Sequence, residues 1–227
     1  MKIKALHSWP SAVRPAINLQ DELCGRLVFG PLPAEPRFLA GCDCGLNLKA
    51  NIICAGVIVY RFPELAEIER SCAFMPIPFP YVPGLLSFRE VPVLLKAFGG
   101  LKTTPDLVLC DGQGYAHPRR MGEASHLGLW LDIPVVGCAK SRLIGEYKEP
   151  GPRRGDSASV MDKGEEVARA LTSRDGCRPL FISAGYKITL DESVRITLAC
   201  ADGHRIPKPT READRWVKGL AKNHKAD

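Results

Sequence analysis

The chain has 227 residues, of which 45% are hydrophobic and 25% are charged, with 31 Lys and Arg against 25 Asp and Glu. This length and composition exclude a disordered chain and predict one globular domain over residues 1–227. No apolar stretch approaches the ~18 to 20 residues of a membrane span, and no secretory signal is visible, so a cytoplasmic protein is expected. The net charge of +6 is compatible with a polyanionic partner but does not identify one.

The first elements are predicted to be a helix and three antiparallel strands. Apolar residues at helical spacing predict a helix over about 11–28, with Ser11 as its N-cap. After a proline-rich link, β-like runs at 38–45, 51–60 and about 67–74 predict a meander.

The rest of the chain is predicted to alternate between strands and helices. A stiff proline-rich loop at 76–84 is followed by a helix at 84–98, a strand at 107–110, a helix at 122–131 and a strand at 134–139. A loop at 148–157 then leads to a hairpin of 166–172 with 178–183. The last two elements are a helix at 189–200, which opens with a Thr189 capping box, and a helix with Thr210 as N-cap. A strand, helix and strand at this spacing imply a parallel pair. The expected fold is therefore α/β, with helices around a mixed sheet and a site at the carboxyl ends of the parallel strands.

Two acids interrupt otherwise apolar strands. Asp43 lies within the run 38–45, and Asp111 directly follows the strand 107–110. A buried carboxylate is costly unless it is paired, hydrogen-bonded or bound to a metal, and Mg²⁺ prefers such oxygen ligands. The pair therefore predicts a metal site. The alternatives are that Asp43 is a satisfied core acid or faces solvent, and that Asp111 only caps an Asp-Gly turn.

A metal that activates water for attack on a phosphate needs further acids nearby. Glu90 and Asp214 are candidates on predicted helices. The alternative is that both are ordinary solvated acids.

Long segments, in the same order, resemble the endonuclease V family of inosine-directed repair nucleases. The resemblance runs from about Leu6 to Leu220 and is carried by residues 40–43, 79–90, 111–119, 136–143 and 205–211. It implies an RNase H-like fold and a catalytic Mg²⁺ held by Asp43 and Asp111, with Glu90 nearby. Mn²⁺ is expected to substitute for Mg²⁺.

The resemblance also implies roles for other polar residues. Asp214 falls where relatives carry His or Asp, and Lys140 matches an active-site lysine that would stabilise charge on phosphoryl oxygens. The alternative for Lys140 is a surface lysine that flanks a strand. His117 and Arg119 match a His-Pro-Arg segment and are expected either to contact phosphates or to form structural hydrogen bonds.

The proline-rich loop is expected to act as a wedge in the duplex. Prolines restrict the backbone, and an aromatic side chain can replace the stacking lost when a base is extruded. The alternative is a surface patch packed against a helix. The wedge residues are Pro80, Tyr81, Val82 and Pro83.

The pocket for the extruded base is expected at Gly84, Leu86 and Gly112. Glycines there would leave backbone groups free to meet the edge of hypoxanthine. Glu123 lies where some relatives have an apolar residue.

The resulting hypothesis is a Mg²⁺-dependent, monomeric enzyme that cuts DNA containing deoxyinosine or other deaminated bases. The family implies incision at the second phosphodiester 3′ to the lesion, which leaves a 3′-hydroxyl, a 5′-phosphate and the lesion in place. The alternatives are a ribonuclease acting on inosine-containing RNA and a protein that binds inosine or branched nucleic acid without cutting. The sequence does not count the metal ions.

Overall fold

Eight strands form one mixed β-sheet with helices on both faces in the computed structural model, which describes residues 1, 3 and 5–223. The described elements are α1 (Val13–Cys24), β1 (Phe38–Asn47), β2 (Ile52–Arg61), β3 (Ala66–Pro76), α2 (Leu86–Gly99), β4 (Leu107–Cys110), α3 (Glu123–Leu131), β5 (Val135–Ala139), β6 (Ser157–Asp162), β7 (Glu165–Leu171), β8 (Leu180–Tyr186), α4 (Leu190–Ala199) and α5 (Lys208–Asn223). The strand order is β3-β2-β1-β4-β5-β8-β7-β6. The predicted α/β class with a mixed sheet is confirmed.

The pairing of the strands follows the predicted pattern. Strands β1 to β3 form the antiparallel meander, and β4 runs parallel to both β1 and β5. Strands β7 and β8 form the predicted antiparallel hairpin. The edge strand β6 was not predicted, because Val160 is its one buried residue and its sequence lacks a run of apolar side chains.

Two predicted helix caps are wrong, whereas a third is confirmed. The N-cap of α1 is Ala12, which makes no side-chain cap, instead of Ser11. Thr210 lies inside α5, where it is fully buried and its hydroxyl donates to the Pro207 carbonyl at 3.3 Å. A proline in the first helical turn needs no N–H partner, so α5 begins ahead of Thr210. Thr189 does form a capping box with Glu192.

The sheet separates two apolar layers. On one face, Val93 of α2 and Leu127 of α3 pack in a cluster with Val57 of β2. On the other face, Ile196 of α4 and Trp216 of α5 pack in a cluster with sheet residues. In the part of the chain that the structure describes, no helix has the length and apolar character to cross a membrane.

Helix α5 lies unusually close to β1 and β2 because glycines face it. A Cβ on Gly45 would lie 2.7 Å from the Val217 carbonyl oxygen. A Cβ on Gly56 would lie 2.7 Å from Val217 Cγ1 and 2.9 Å from Trp216 Cε3. Any larger residue at either position would push the helix away from the sheet.

Candidate active site

Three aspartates from distant parts of the chain meet at one end of the central strands. Asp43 lies in β1, Asp111 follows β4 and Asp214 lies in α5, and one carboxylate oxygen from each lies within 4.8 Å of the others. The parallel register pairs Cys42 with Cys110, so the next residue of each chain segment reaches the same end of the sheet. Side chains alternate along a strand, which directs these acids to the face covered by α5.

The electrostatics of this group favour a bound cation. Burial, followed by the neighbouring Asp111 carboxylate, raises the pKa of Asp43 to about 9. Lys140, just after β5, forms an ion pair with Asp111, and its Nζ lies 3.6 Å from Asp214 Oδ1. Lys218 Nζ lies 2.7 Å from Asp214 Oδ2. Burial and the Asp111 charge both favour the protonated form of Asp43, whereas a cation in the cluster would favour its carboxylate form.

The donor set of this group also suits a hard divalent metal. All the potential ligands from Asp43, Asp111 and Asp214 are carboxylate oxygens, and their mutual distances allow one ion to contact them together. The residues present therefore fit Mg²⁺ or Mn²⁺.

Glu90 belongs to α2, on the face of the sheet opposite α5, but it is near enough to the aspartates for the Asp111 charge to act on it, and it pairs with another acid. Its carboxyl hydrogen-bonds to that of Glu123, the first residue of α3. Burial raises the pKa of Glu90 to about 7, and burial followed by the Glu90 charge raises the pKa of Glu123 well above its usual range.

Sequence reasoning gave Glu123 no role. An acid in the first turn of a helix is normally solvated and stabilised by the helix dipole, so its position alone does not mark it. In the structure Glu123 is only 6% exposed.

A cavity of about 360 Å³ opens beside Asp111, one of the three aspartates. Its walls include the wedge residue Tyr81, the predicted pocket residues Gly84, Leu86 and Gly112, and also Glu123. Asp111 and Lys140 line the same cavity. Its volume falls within the roughly 300 to 1,000 Å³ typical of small-ligand sites.

The predicted wedge is a surface loop in which one side chain, that of Val82, is partly buried. Tyr81 is 68% exposed, and Pro80 and Pro83 on either side are also exposed. Val82 packs against the buried cluster that contains Phe88. The Arg89 guanidinium lies 6.0 Å from the Tyr81 ring centre, within the range of a cation–π contact.

His117 and Arg119 hold the backbone between this loop and α2. His117 Nε2 hydrogen-bonds to the Gly84 carbonyl at 3.0 Å, and Nδ1 accepts from the Arg119 backbone N–H at 3.2 Å. Arg119 Nη2 donates to the same carbonyl at 2.8 Å. Burial, followed by the Arg119 charge, lowers the pKa of His117 to about 4. Of the two roles considered for these residues, the geometry favours structural hydrogen bonding over phosphate contact.

Gln20 of α1 adds further hydrogen bonds to the same backbone segment, and its role was not predicted from the sequence. Its side-chain amide donates to the carbonyls of Gly84 at 3.1 Å and Met121 at 3.0 Å, and its oxygen accepts from Arg119 Nε at 2.6 Å. Gln20 follows the buried Ala16 by four residues and precedes the buried Leu23 by three. A polar residue on the apolar face of a helix is the signal that could have revealed it.

The sequence matches a known protein family over most of its length. A family model described as Endonuclease V matches residues 21–215. An endonuclease V from Nostoc punctiforme is 45% identical over 216 residues, which cover 95% of this chain and 98% of that protein. The crystal structure of the Streptomyces avermitilis endonuclease V is 37% identical, with a TM-score of 0.90 and coverage of 95% of both chains.

A further structural relative contains nucleic acid. It is endonuclease V from Ciona intestinalis in complex with a 24mer DNA containing an inosine followed by a ribo-adenosine. It is 26% identical, with a TM-score of 0.83, and the match covers 92% of this chain and 97% of that one. Together with the solved bacterial structure, it confirms the fold implied by the sequence motifs.

Proposed function

This chain belongs to the endonuclease V family of nucleases, and on that basis we propose that it cuts DNA beside deoxyinosine. The reaction is hydrolysis of the second phosphodiester 3′ to the lesion. Water adds to phosphorus and the bond to O3′ breaks, which leaves a 3′-hydroxyl, a 5′-phosphate and the lesion in the strand. The protein acts as a cytoplasmic monomer.

One observation carries this proposal more than any other. Asp111, one of the three clustered aspartates, lines the cavity that Tyr81 and Gly84 also line. A site for phosphoryl chemistry and a space for an extruded base therefore adjoin each other, as cutting close to a modified base requires.

Asp43, Asp111 and Asp214 would hold Mg²⁺, and Mn²⁺ would be able to substitute for it. When bound, the cation would supply charge stabilisation at the phosphate and a more acidic water. Lys140 adds an ammonium group at the same edge of the cavity, where it would neutralise charge that develops on the phosphoryl oxygens. Glu90 would assist from α2, near Asp111, through its contact with Glu123 in the cavity wall.

Recognition of the lesion combines the loop and the cavity. Exposed Tyr81, held between two prolines, would fill the space left by the extruded base. The cavity beside Gly84, Leu86 and Gly112 would accept that base. Unstacking a mispaired hypoxanthine costs less free energy than unstacking a paired adenine, so the lesion is favoured before any contact with its edge.

Two other substrates or roles remain as outcomes of the test. Inosine-containing RNA offers the same base and a similar backbone, and a protein that bound inosine without cutting would share the cavity. The three intact aspartates favour the cutting enzyme over the binding protein.

The test uses duplex DNA and single-stranded RNA, each with one inosine, incubated with Mg²⁺ or with chelator. Cleavage sites are mapped to single-nucleotide resolution and the ends are typed by ligation and polymerase extension. We expect Mg²⁺-dependent nicking of the DNA at the second 3′ bond. Cutting of RNA alone would establish the ribonuclease instead.

Two carboxylate variants separate a specific loss from a general one. Asp43→Asn should abolish cutting, whereas Asp21→Asn, on the exposed face of α1, should cut like the wild type. Strand breaks that persist in Asp43→Asn, or the absence of breaks in every wild-type reaction, would refute the mechanism.

A further inference from the structure

The backbone that carries Lys140 leaves the sheet where the ladder between β5 and β8 stops. Ala139 is the last residue of β5 in register, and it lies opposite Phe181 of β8. Pro179, just before β8, has no N–H with which to extend the ladder. The carbonyl groups of Lys140 and Pro179 therefore need hydrogen-bond donors from elsewhere in the chain.

A single guanidinium group supplies these donors. Arg205, in the loop between α4 and α5, donates from Nη2 to the carbonyls of Lys140 at 2.8 Å and Pro179 at 2.9 Å. Its Nε donates to the carbonyl of Arg178 at 2.8 Å. A guanidinium is planar and presents its N–H groups in a fixed geometry, so it holds the three carbonyls in one arrangement. Ser173 Oγ donates to the Arg205 carbonyl at 2.5 Å and fixes the backbone of the arginine itself.

The position of the Lys140 backbone matters because the ammonium group lies among the clustered aspartates. Its Nζ forms an ion pair with Asp111 and lies 3.6 Å from Asp214 Oδ1. A lysine side chain is a flexible stem, so a fixed backbone limits the positions that Nζ can reach. The loop that contains Arg205 also leads into α5, which carries Asp214. Arg205 thus links the strand end that bears the lysine to the helix that bears the third aspartate.

We propose that Arg205 is a positioning residue, which holds Lys140 where its ammonium group can neutralise charge on the phosphoryl oxygens. This inference rests on the proposed function and adds a residue to it. Nε and Nη2 of Arg205 are both directed at carbonyls of the protein. An arginine that instead bound a DNA phosphate would contribute to affinity, and its loss would weaken binding without slowing the cutting of bound DNA.

The experiment measures single-turnover cutting of a deoxyinosine duplex in saturating Mg²⁺ and, in chelator, the dissociation constant for the same duplex. Arg205→Met should cut about 10- to 100-fold more slowly, because its active-site lysine is misplaced. Its dissociation constant should stay within about twofold of the wild type. Arg205→Lys keeps the charge without the planar set of donors, so it should also cut at least about 10-fold more slowly.

Arg178→Met is the matched control. It removes an exposed arginine side chain from the same surface and keeps the backbone carbonyl that Arg205 contacts. Its rate of cutting should lie within about twofold of the wild type. Full activity in Arg205→Lys would show that charge alone matters and would overturn the inference.

Combined substitutions distinguish positioning of Lys140 from a general structural role. In a Lys140→Met background, Arg205→Met should cause no more than about a twofold further loss of rate, because residues that act as a unit are not additive. A generally damaged protein would lose rate in both backgrounds. Losses that multiply, wild-type cutting by Lys140→Met, or weaker binding without slower cutting in Arg205→Met would each overturn the inference.

The NMR signal of the Lys140 ammonium group gives a measurement that does not require cutting. The signal is assigned by its absence in Lys140→Met. Arg205→Met should shift and broaden it, because the ion pair with Asp111 is loosened, whereas Arg178→Met should leave it in place. An unchanged signal in Arg205→Met would refute the positioning role.

The same signal separates this inference from the proposed function. A wild type that cuts neither substrate, but whose Lys140 signal moves in Arg205→Met, would refute the proposed function and leave the contact between Arg205 and the Lys140 backbone supported as the cause of its position. If Arg205→Met does not fold, Arg205→Lys takes its place in every measurement.

Discussion

Replacing Gln20 by Met should strongly lower the free energy of unfolding of the protein. The change keeps similar volume but removes two donated hydrogen bonds and one accepted from Arg119. The bond to Gly84 contributes about 1 kcal/mol, because that carbonyl keeps other donors. The carbonyl of Met121 loses a partner at a cost of about 1 to 3 kcal/mol, and the guanidinium loses a charge-assisted bond of about 1.5 to 3 kcal/mol. The sum is roughly 3.5 to 7 kcal/mol, a large part of a typical folding free energy.

The measurement is urea unfolding of the wild type, Gln20→Met and the control Asn18→Met, which changes an exposed position on the same helix. The control should lie within about 0.5 kcal/mol of the wild type. Gln20→Met should also cut more slowly at temperatures where it stays folded, because Gly84 is less firmly held. A free energy of unfolding within about 1 kcal/mol of the wild type would refute the argument that these bonds anchor the loop.

Three further predictions concern the wedge, the aspartates and the core. Tyr81→Ala should alter stability by less than ~0.5 kcal/mol but weaken binding of an inosine duplex by ~1 to 3 kcal/mol, as measured by fluorescence titration; equal affinity would argue against a stacking role. Mg²⁺ should raise the melting temperature of the wild type but not of Asp43→Asn, and a rise in both would place the ion elsewhere. Burial, followed by the His7 charge, lowers the pKa of His126 to about 3. At His126 the unfolded chain therefore takes up a proton below about pH 6.5 that the folded chain excludes, so the contribution of this residue to stability is full above this pH and falls by ~2 kcal/mol at about pH 5. Urea unfolding above pH 6.5 and at about pH 5 should show that His126→Asn loses less free energy of unfolding between the two pH values than the wild type does. An equal loss in the variant would contradict the role given to His126.

The sheet was predictable because its signals are local. Strand β4 is a short apolar run, and the first three strands follow one another with clear turns. Strand β6 offers one buried side chain and pairs along its length with β7, so its formation depends on tertiary contacts that the local sequence does not encode. The cap at Thr189 was predictable from a four-residue pattern, whereas the start of α5 depends on where the helix packs.

The candidate site divides in a similar way. Asp43 and Asp111 stand out because they interrupt apolar strands, and the parallel register brings them together. The contact between Glu90 and Glu123 joins two helices, and the hydrogen bonds of Gln20 reach more than sixty residues along the chain. Such pairings follow from packing, which periodicity in one segment cannot specify.

The close contact of α5 with β1 has a consequence for the protein during its synthesis. Asp43 enters early, whereas Asp214 arrives with the last helix described, and the glycines of the sheet admit that helix at short range. A nascent chain that ends before α5 has all eight described strands but only two of the three clustered acids. At the proposed metal site, an unfinished or truncated chain would therefore offer the cation only two of the three carboxylates, so the site would be complete only after the last described helix has been made.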